Sequence, residues 1–176
     1  MKRLYKRLRR FYLERFAGPA RLLEFYRSQG IKIGENCHIG GLIYTDEAYL
    51  IEIGDHVAIA ADVLFITHDP GMWCFTEDDP EYDVFGQIKI GNNVLIGMRC
   101  TILPNTFIGD NCIVGAGSVV RGKFPDNSII FGNPATVVSN MSVQRLLYNQ
   151  NPNRLKTARM TDEEKKPIVK KHFGLE

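Results

Sequence analysis

The sequence predicts an all-β core in which short strands stack as a solenoid of six-residue repeats. Aliphatic residues recur at every sixth position through an unbroken run, and a small residue usually follows each of them. Ile and Val together number 25 between residues 31 and 138 but only 3 in the two flanks, and 13 of the 16 Gly also lie inside. β-Branched residues favour strands, Gly favours tight turns, and a short fixed period is typical of a solenoid. The run consists of Ile90, Ile96, Ile102, Ile108, Val114 and Val120.

Residues 1–30 form a basic segment that the sequence predicts to be helical. They carry nine Lys or Arg against two Glu, and Leu and aromatic residues recur three and four positions apart in residues 1–16. This spacing gives an amphipathic helix with a cationic face, which Gly18-Pro19 should end or kink. The helix either packs on its own domain, which is the commoner outcome, or lies on an anionic membrane surface. Nucleic-acid binding is disfavoured because the centre of the chain is acidic and carries no recognition motif.

Within residues 31–138, each hexad is predicted to form one short strand and one turn, and three hexads complete one coil. Gly or Asn tolerates the backbone dihedrals of the turn, while one aliphatic side chain points inward. Successive coils then hydrogen-bond strand over strand at a spacing of about 4.8 Å. A second inward position follows four residues after each aliphatic residue, so three of the four Cys are predicted core residues. Its members are Cys37, Val57, Val63, Val94, Cys100, Thr106, Cys112 and Ser118.

Residues 69–87 interrupt the period, which afterwards resumes in phase. We therefore expect a loop that leaves the solenoid there, and long insertions in compact repeats are usually functional. The loop contains the only Trp of the chain, Trp73, and five acidic residues after Asp69. The indole of Trp73 is predicted either to stack on a ligand or to cover a neighbouring subunit, and Glu77 is a second candidate for contact with a ligand.

Residues 139–176 are predicted to form a helical tail. A short helix from Met141 is followed by a break rich in Asn and Pro, and a charged helix starts near Thr161. The tail either caps the open end of the solenoid or helps to hold subunits together.

Composition limits the class of protein. The chain has 176 residues, with 44% hydrophobic residues, 24% charged residues and a net charge of +2. These values exclude a wholly disordered, collagen-like or disulfide-scaffold protein and fit one domain. The Cys residues have no close CxxC pairing, we see no secretory leader, and no stretch approaches the roughly 20 apolar residues of a membrane span. We therefore expect reduced thiols and a cytoplasmic protein, with peripheral contact at the inner membrane face as the alternative.

The stretch IGNNVLIGMRCTILPNTFIGDNCIVGAGSVVRGKFPDNSIIFGNPATVV, at residues 90–138, resembles the hexapeptide-repeat acyltransferases. Its GAGSVV and GNPA segments are the most specific, and the resemblance extends over residues 31–138. It implies that the solenoid is a left-handed parallel β-helix, flanked here by the helical segments and interrupted by the loop. The left hand comes from the resemblance alone, because crossovers are right-handed in general. The resemblance also implies a homotrimer that binds acetyl-coenzyme A between neighbouring prisms.

His68 is the candidate catalytic residue. Acyl transfer from a thioester to a hydroxyl needs a base that takes the hydroxyl proton near neutral pH, and imidazole suits this task. His68 stands at the mouth of the loop, and the segment FITHD resembles the one that bears the catalytic His in the polysaccharide and xenobiotic O-acetyltransferase branch. Asp69 or a loop carboxylate is the candidate to orient the ring. These loop carboxylates are Glu77, Asp78 and Asp79.

The rest of the sequence predicts neither membership of the maltose and galactoside acetyltransferase branch nor a metal site. The maltose and galactoside acetyltransferase branch places its His one coil later, in an IGxH hexad, where this chain has Arg99. His38 and His56 occupy solvent-facing hexad positions, and His172 lies in the tail. No HxxxxH pair of the γ-class carbonic anhydrase type is present, so we expect no metal.

The donor is expected to bind along the later coils. Small residues would leave room for the pantetheine arm, a backbone N–H near Gly97 would hold the developing oxyanion, and basic residues would meet the phosphates. In related enzymes the GNPA segment lies near the nucleotide end of the cofactor. The alternative is that this segment only turns the chain out of the helix. Besides Gly97, the candidate residues are Gly115, Ala116, Gly117, Ser118, Arg121, Lys123, Asn133 and Pro134.

Together these features predict an acyl-CoA-dependent O-acyltransferase, with acetyl as the expected group. Its acceptor is expected to be a hydroxyl of a sugar or of a cell-envelope polysaccharide precursor. His68 would act as general base in a direct transfer without a covalent acyl-enzyme. Two alternatives stay open: an N-acetyltransferase of an amino sugar nucleotide, and a trimeric β-helix subunit that serves as a scaffold without catalysis.

Overall fold

The computed structural model describes residue 12 and residues 18–175 of the chain. The basic helix expected in residues 1–16 therefore lies outside the described residues, apart from Tyr12. Helix α1, Pro19–Ser28, begins with Pro, whose missing N–H costs no helical hydrogen bond at this position. Tyr26 of this helix is fully buried, and its hydroxyl accepts the N–H of Leu42 at 3.0 Å. This contact ties α1 to the first coil of the solenoid.

Fifteen strands lie between residues 32 and 140. In order, they are β1 (Lys32–Ile33), β2 (His38–Ile39), β3 (Leu42–Tyr44), β4 (Ile51–Ile53), β5 (Ala58–Ile59), β6 (Val63–Phe65), β7 (His68–Asp69), β8 (Val84–Phe85), β9 (Ile88–Ile90), β10 (Leu95–Ile96), β11 (Thr101–Ile108), β12 (Ile113–Val114), β13 (Val119–Phe124), β14 (Ser128–Gly132) and β15 (Ala135–Asn140).

The strands repeat as three faces, which makes the solenoid a parallel β-helix. The first face contains β1, β4, β9 and the second halves of β11 and β13. The second face contains β2, β5, β10, β12 and β14. The third face contains β3, β6 and the first halves of β11 and β13. All of these pairings are parallel, and β15 then returns antiparallel to β14.

Residues of one type stack in the interior, as the six-residue period predicts. On the first face Ile33, Ile53, Ile90 and Ile108 pair in one register, and Phe124 continues the row. All five side chains are buried. The second inward position is also buried at seven of its eight members, including two of the three Cys. The exception is Cys37, which is half-buried and packs against the core from the first coil.

The first corner, between the first and second faces, is held by a ladder of acidic and amide side chains. Asp110 Oδ1 accepts the N–H of Asn92 at 2.6 Å, and Asp126 Oδ1 accepts the N–H of Asp110 at 2.8 Å. The same contact joins Asp55 to the N–H of Glu35 at 2.7 Å. Each of these hydrogen bonds therefore fastens one coil to the next, in addition to the backbone hydrogen bonds between the strands. The residue after each rung adopts a left-handed backbone: Asn36, His56, Asn93, Asn111 and Asn127.

The chain divides into two compact units between Met141 and Ser142. Helix α2, Met141–Gln150, begins at this boundary, and helix α3, Asp162–His172, follows in the second unit. A capping box starts α3, because Thr161 Oγ1 accepts the N–H of Glu164 while the Glu164 carboxylate accepts the N–H of Thr161. Across residue 12 and residues 18–175, no helix has the length and apolar content to cross a bilayer.

Candidate active site

The inserted loop leaves the solenoid at the third corner, between the third and first faces. The chain departs after β6 and rejoins the solenoid at β9. At the base of the loop, β7 and β8 pair antiparallel and place His68 opposite Phe85. Gly86 then donates its N–H to the carbonyl of Thr67 at 2.8 Å. These backbone contacts fix the position of His68 at the mouth of the loop.

The imidazole of His68 is held on one nitrogen and is still open to solvent. Its side chain is 38% exposed. Nδ1 lies 2.9 Å from Oε2 of Glu47. The ring of Phe85 meets the imidazole edge-on, with 6.5 Å between ring centroids. A ring held in this way has a fixed orientation and remains within reach of a substrate.

Glu47 comes from the connection between β3 and β4, directly before the 3₁₀ turn Ala48–Leu50. Its side chain is only 15% exposed, and Oε2 also accepts the hydroxyl of the fully buried Thr67 at 2.8 Å. Burial raises the pKa of the Glu47 carboxyl, but the hydrogen bonds from His68 and Thr67 outweigh it, so this pKa lies below its ordinary value. Glu47 is therefore ionised at neutral pH.

The structure places Glu47 against His68, and this corrects the expectation that Asp69 or a loop carboxylate orients the ring. Asp69 Oδ1 instead accepts the N–H of Gly71 at 3.0 Å and caps the 3₁₀ helix Pro70–Phe75. Neighbouring side chains on a strand point to opposite sides, so His68 and Asp69 diverge. The loop carboxylates are exposed: Glu77, Asp78 and Asp79.

A spacing signal in the sequence marks the connection that carries Glu47. Tyr44 and Ile102 occupy equivalent positions on the third face, and Ile53 and Ile108 are equivalent on the first. The chain takes nine residues from Tyr44 to Ile53 but only six from Ile102 to Ile108. The first coil therefore carries a small insertion at the same corner from which the large loop later departs.

The loop presents its aromatic side chains outward. Trp73 is 80% exposed, and Phe75 and Tyr82 are 55% and 67% exposed. Glu77 lies on the same exposed stretch. Trp73 and Glu77, the two candidates for substrate contact, are therefore accessible within one chain and lie on the loop that begins at His68.

Three of the residues expected to hold the donor are used inside the solenoid instead. Ser118 is fully buried and donates its hydroxyl to the carbonyl of Gly115 at 2.6 Å. A Cβ on Gly115 would collide with the ring of Phe131, so that ring already fills the space expected for the pantetheine arm. The N–H of Gly97 donates to the carbonyl of Val114 at 2.8 Å, so it is not available to an oxyanion. These three residues are corrected to structural positions.

The other residues expected near the donor lie on the surface. A Cβ on Gly117 would meet nothing within 4 Å. Lys123 Nζ lies 5.7 Å from the centroid of the Phe107 ring, a cation–π geometry. The exposed residues of this group are Ala116, Gly117, Arg121, Lys123, Asn133 and Pro134.

Two further histidines, His38 and His56, lie on or beside the second face and not at the third corner. His38 and His56 are exposed, and His56 Nδ1 lies 2.8 Å from Asn93 Oδ1 at the first corner. In the described ranges, residue 12 and residues 18–175, no group of three or more His, Cys, Asp or Glu is arranged to hold a metal ion.

Comparison with known proteins identifies the family. The family described as "Bacterial transferase hexapeptide (six repeats)" matches residues 87–122. Protein CapG of Staphylococcus aureus is 39% identical over 118 residues, which cover 65% of this chain and 69% of CapG. The chain belongs to the hexapeptide-repeat acyltransferases. The resemblance that residues 31–138 carry is thereby confirmed.

Other relatives in this family carry acetyltransferase names. Galactoside O-acetyltransferase of Escherichia coli (strain K12) is 38% identical over 112 residues, 60% of this chain and 54% of that protein. The E. coli protein WbbJ, named as a lipopolysaccharide biosynthesis O-acetyl transferase, is 28% identical over 130 residues, 68% of this chain and 65% of WbbJ. The chain thus spans between about half and two thirds of the length of these two relatives.

A solved structure shows the same fold. The structure of a galactoside acetyltransferase in complex with coenzyme A matches 84% of this chain and 86% of that chain, with a TM-score of 0.57 and 22% identity. This likeness supports the parallel β-helix architecture.

Proposed function

We propose that the protein is an acetyl-CoA-dependent O-acetyltransferase that acts on a sugar hydroxyl, with His68 as its general base. The observation that carries the proposal is the partly exposed imidazole of His68 at the mouth of the loop, with Nδ1 bound to Glu47. Nε2 is then left to accept the proton of an incoming hydroxyl. The names of the galactoside and lipopolysaccharide relatives support transfer of an acetyl group to oxygen.

In the proposed reaction, the acceptor oxygen attacks the carbonyl carbon of the acetyl thioester while Nε2 of His68 takes the hydroxyl proton. A carbon–oxygen bond forms, and the carbon–sulfur bond then breaks. The imidazolium returns its proton to the departing thiolate, which leaves as the free thiol of coenzyme A. The products are an acetyl ester and coenzyme A, and no covalent acyl-enzyme is needed.

The donor proposal is supported by the solved relative that contains coenzyme A. On this chain, the exposed pair Ala116 and Gly117 offers open surface for an extended pantetheine arm. Arg121 and Lys123 are exposed cations that suit phosphate groups. Asn133 and Pro134 remain candidates for the nucleotide end of the donor.

The acceptor proposal is supported by the loop. An exposed indole such as Trp73 can stack on the apolar face of a sugar. Residues 69–87 carry six acidic residues and no Lys or Arg, so their electrostatic potential favours a neutral acceptor over an anionic one. A neutral sugar of a cell-envelope polysaccharide or its precursor fits both features, and the name of WbbJ agrees with this class.

We further propose that the β-helix is left-handed and that three copies assemble as a homotrimer with the donor between neighbouring prisms. The outward side chains differ between the first and second faces, and this difference supports the second face as the contact surface. The first face carries the ion pairs of Lys32 and Lys89 with Glu52, each at 3.8 Å. The second face presents the apolar residues Leu95, which is 43% exposed, and Ile113. An apolar face of this kind suits contact with another subunit, whereas the charged face suits solvent.

The replacement His68→Ala tests the proposed base. We expect kcat/KM to fall by about 10²- to 10⁴-fold because the hydroxyl proton then has no positioned acceptor. Thiol release from acetyl-CoA is measured with a panel of neutral sugars, amino sugars and sugar nucleotides. His172→Ala, which removes an exposed imidazole from helix α3, is the matched control and should keep its activity.

Product analysis completes the experiment. Acetyl esters on neutral sugars support the proposal, whereas amides formed only on amino sugar nucleotides would establish the N-acetyltransferase alternative. A His68→Ala variant with the turnover of the parent would reject His68 as the base.

A further inference from the structure

We propose that Glu47 is a positioning residue, which fixes the imidazole of His68 in the tautomer with its proton on Nδ1. The inference rests on the proposed role of His68 as general base. Glu47 and His68 belong to successive coils and meet at the third corner, where Oε2 and Nδ1 are 2.9 Å apart. Two threonines, Thr45 and Thr67, belong to the same hydrogen-bond network, and they determine which group donates in each hydrogen bond.

The hydrogen bonds of the two threonines all run toward the carboxylate. The backbone N–H of Thr67 donates to the hydroxyl oxygen of Thr45 at 2.9 Å, and the two hydroxyls contact one another. The hydroxyl of Thr67 donates to Oε2 of Glu47 at 2.8 Å. Since a hydroxyl has one proton, Thr67 uses its proton on Glu47, and Thr45 must donate to Thr67. The network thus supplies donors to an ionised Glu47.

This order of donors determines the tautomer of His68. An ionised carboxylate only accepts hydrogen bonds, so the imidazole nitrogen that faces Glu47 must carry a proton. A neutral imidazole has one N–H, and Nε2 of His68 therefore keeps its lone pair. The same carboxylate, with a side chain only 15% exposed, stabilises the imidazolium that forms when Nε2 takes a proton. Glu47 thereby prepares the base without touching the substrate.

A merely structural role for Glu47 would be to fasten the connection between β3 and β4 to the base of the loop. The two roles separate in the variant Glu47→Leu, which keeps about the size of the side chain but offers no acceptor to Nδ1. Nothing at this position then holds the proton on Nδ1, so we expect the proton on Nε2 and the base is lost. A structural anchor would leave the tautomer of His68 unchanged.

The experiment compares Glu47→Leu with the matched control Glu52→Leu. The side chain of Glu52 is 44% exposed on the first face and pairs with Lys32 and Lys89. Nitrogen-15 NMR of histidine-labelled full-length protein reports the tautomer, and the His68 signal is assigned by its loss in His68→Ala. We expect Nδ1–H in the parent and in Glu52→Leu, and Nε2–H in Glu47→Leu. The kcat of Glu47→Leu should fall by about 10²- to 10⁴-fold with KM for acetyl-CoA within a few-fold. Glu47→Asp, which restores an acceptor, should recover part of this loss.

The outcomes separate this inference from the proposed function. A His68 signal that keeps Nδ1–H in Glu47→Leu overturns the positioning role, even if activity falls. A shift of the tautomer with unchanged kcat supports the positioning role but contradicts His68 as the base. An active His68→Ala variant contradicts the proposed function in the same way, whatever the tautomer.

Discussion

The proposed role of His68 as a base depends on Glu47, which lies on the preceding coil. The fully buried Thr67 lies beside both residues and holds the carboxylate, so the imidazole is fixed on Nδ1 while its side chain stays 38% exposed. The position of His68 at the mouth of a long insertion made it a candidate from the sequence alone. Its partner was missed because the expected partners, Asp69 and the loop carboxylates, were sought close to His68 in the chain. The contact forms only when two coils stack.

The contribution of Glu47 to the stability of the fold depends on pH. Folding lowers the pKa of the Glu47 carboxyl, so the ionised carboxylate stabilises the protein at pH values above the ordinary carboxyl pKa. This stabilisation is lost as the pH falls through the folded-state pKa. We expect the difference in unfolding free energy between the parent and Glu47→Gln to be largest near neutral pH and to shrink as the pH falls through the range in which the folded-state carboxyl becomes protonated. Urea unfolding at a fixed chain concentration measures it. A difference that stays constant with pH would contradict the lowered pKa.

The coil is the element that the sequence predicts best. Its period fixes which side chains point inward, and the stacked rows of Ile and Val follow from it. The period says nothing about the interior of the loop, where the hydrogen bond that Asp69 accepts from Gly71 and the pairing of β7 with β8 determine the structure. Small residues were also misread. Gly115 is small because the ring of Phe131 packs on it, and the buried hydroxyl of Ser118 serves the turn.

Gly at the start of the first corner has a packing reason that the period alone does not reveal. A Cβ on Gly91 would lie 2.7 Å from the carbonyl carbon of Gly109 in the next coil and would press on the carboxylate of Asp110. That carboxylate accepts the N–H of Asn92, so a shift would break a rung of the ladder. We expect Gly91→Ala to destabilise the protein by about 1–3 kcal/mol.

The matched control for this prediction is Gly41→Ala. A Cβ on Gly41 would meet nothing closer than the backbone nitrogen of Asp62 at 3.9 Å. Its effect on stability should stay within about 0.5 kcal/mol. Thermal unfolding of both variants at one protein concentration makes the comparison, and equal stabilities would refute the packing role of the corner glycines.

At the scale of the whole molecule, the repeating coil supplies a frame and the departures from the repeat carry the proposed catalytic residues. Two insertions leave the third corner in successive coils, a short one that carries Glu47 and a long one that begins at His68. Stacking therefore brings into contact two residues that are 21 positions apart in the chain. Loops set on a rigid scaffold commonly carry function in this way. The apolar second face adds the surface by which copies of the scaffold are proposed to join.

The most direct test of the proposed site is a crystal structure of the full-length chain with coenzyme A bound. We expect the thiol sulfur to lie beside Nε2 of His68, with the coenzyme held between two copies of the chain and Nδ1 still bound to Glu47. A sulfur bound at another corner of the prism, remote from His68 in every copy, would contradict the assignment of His68 as the base for acetyl transfer.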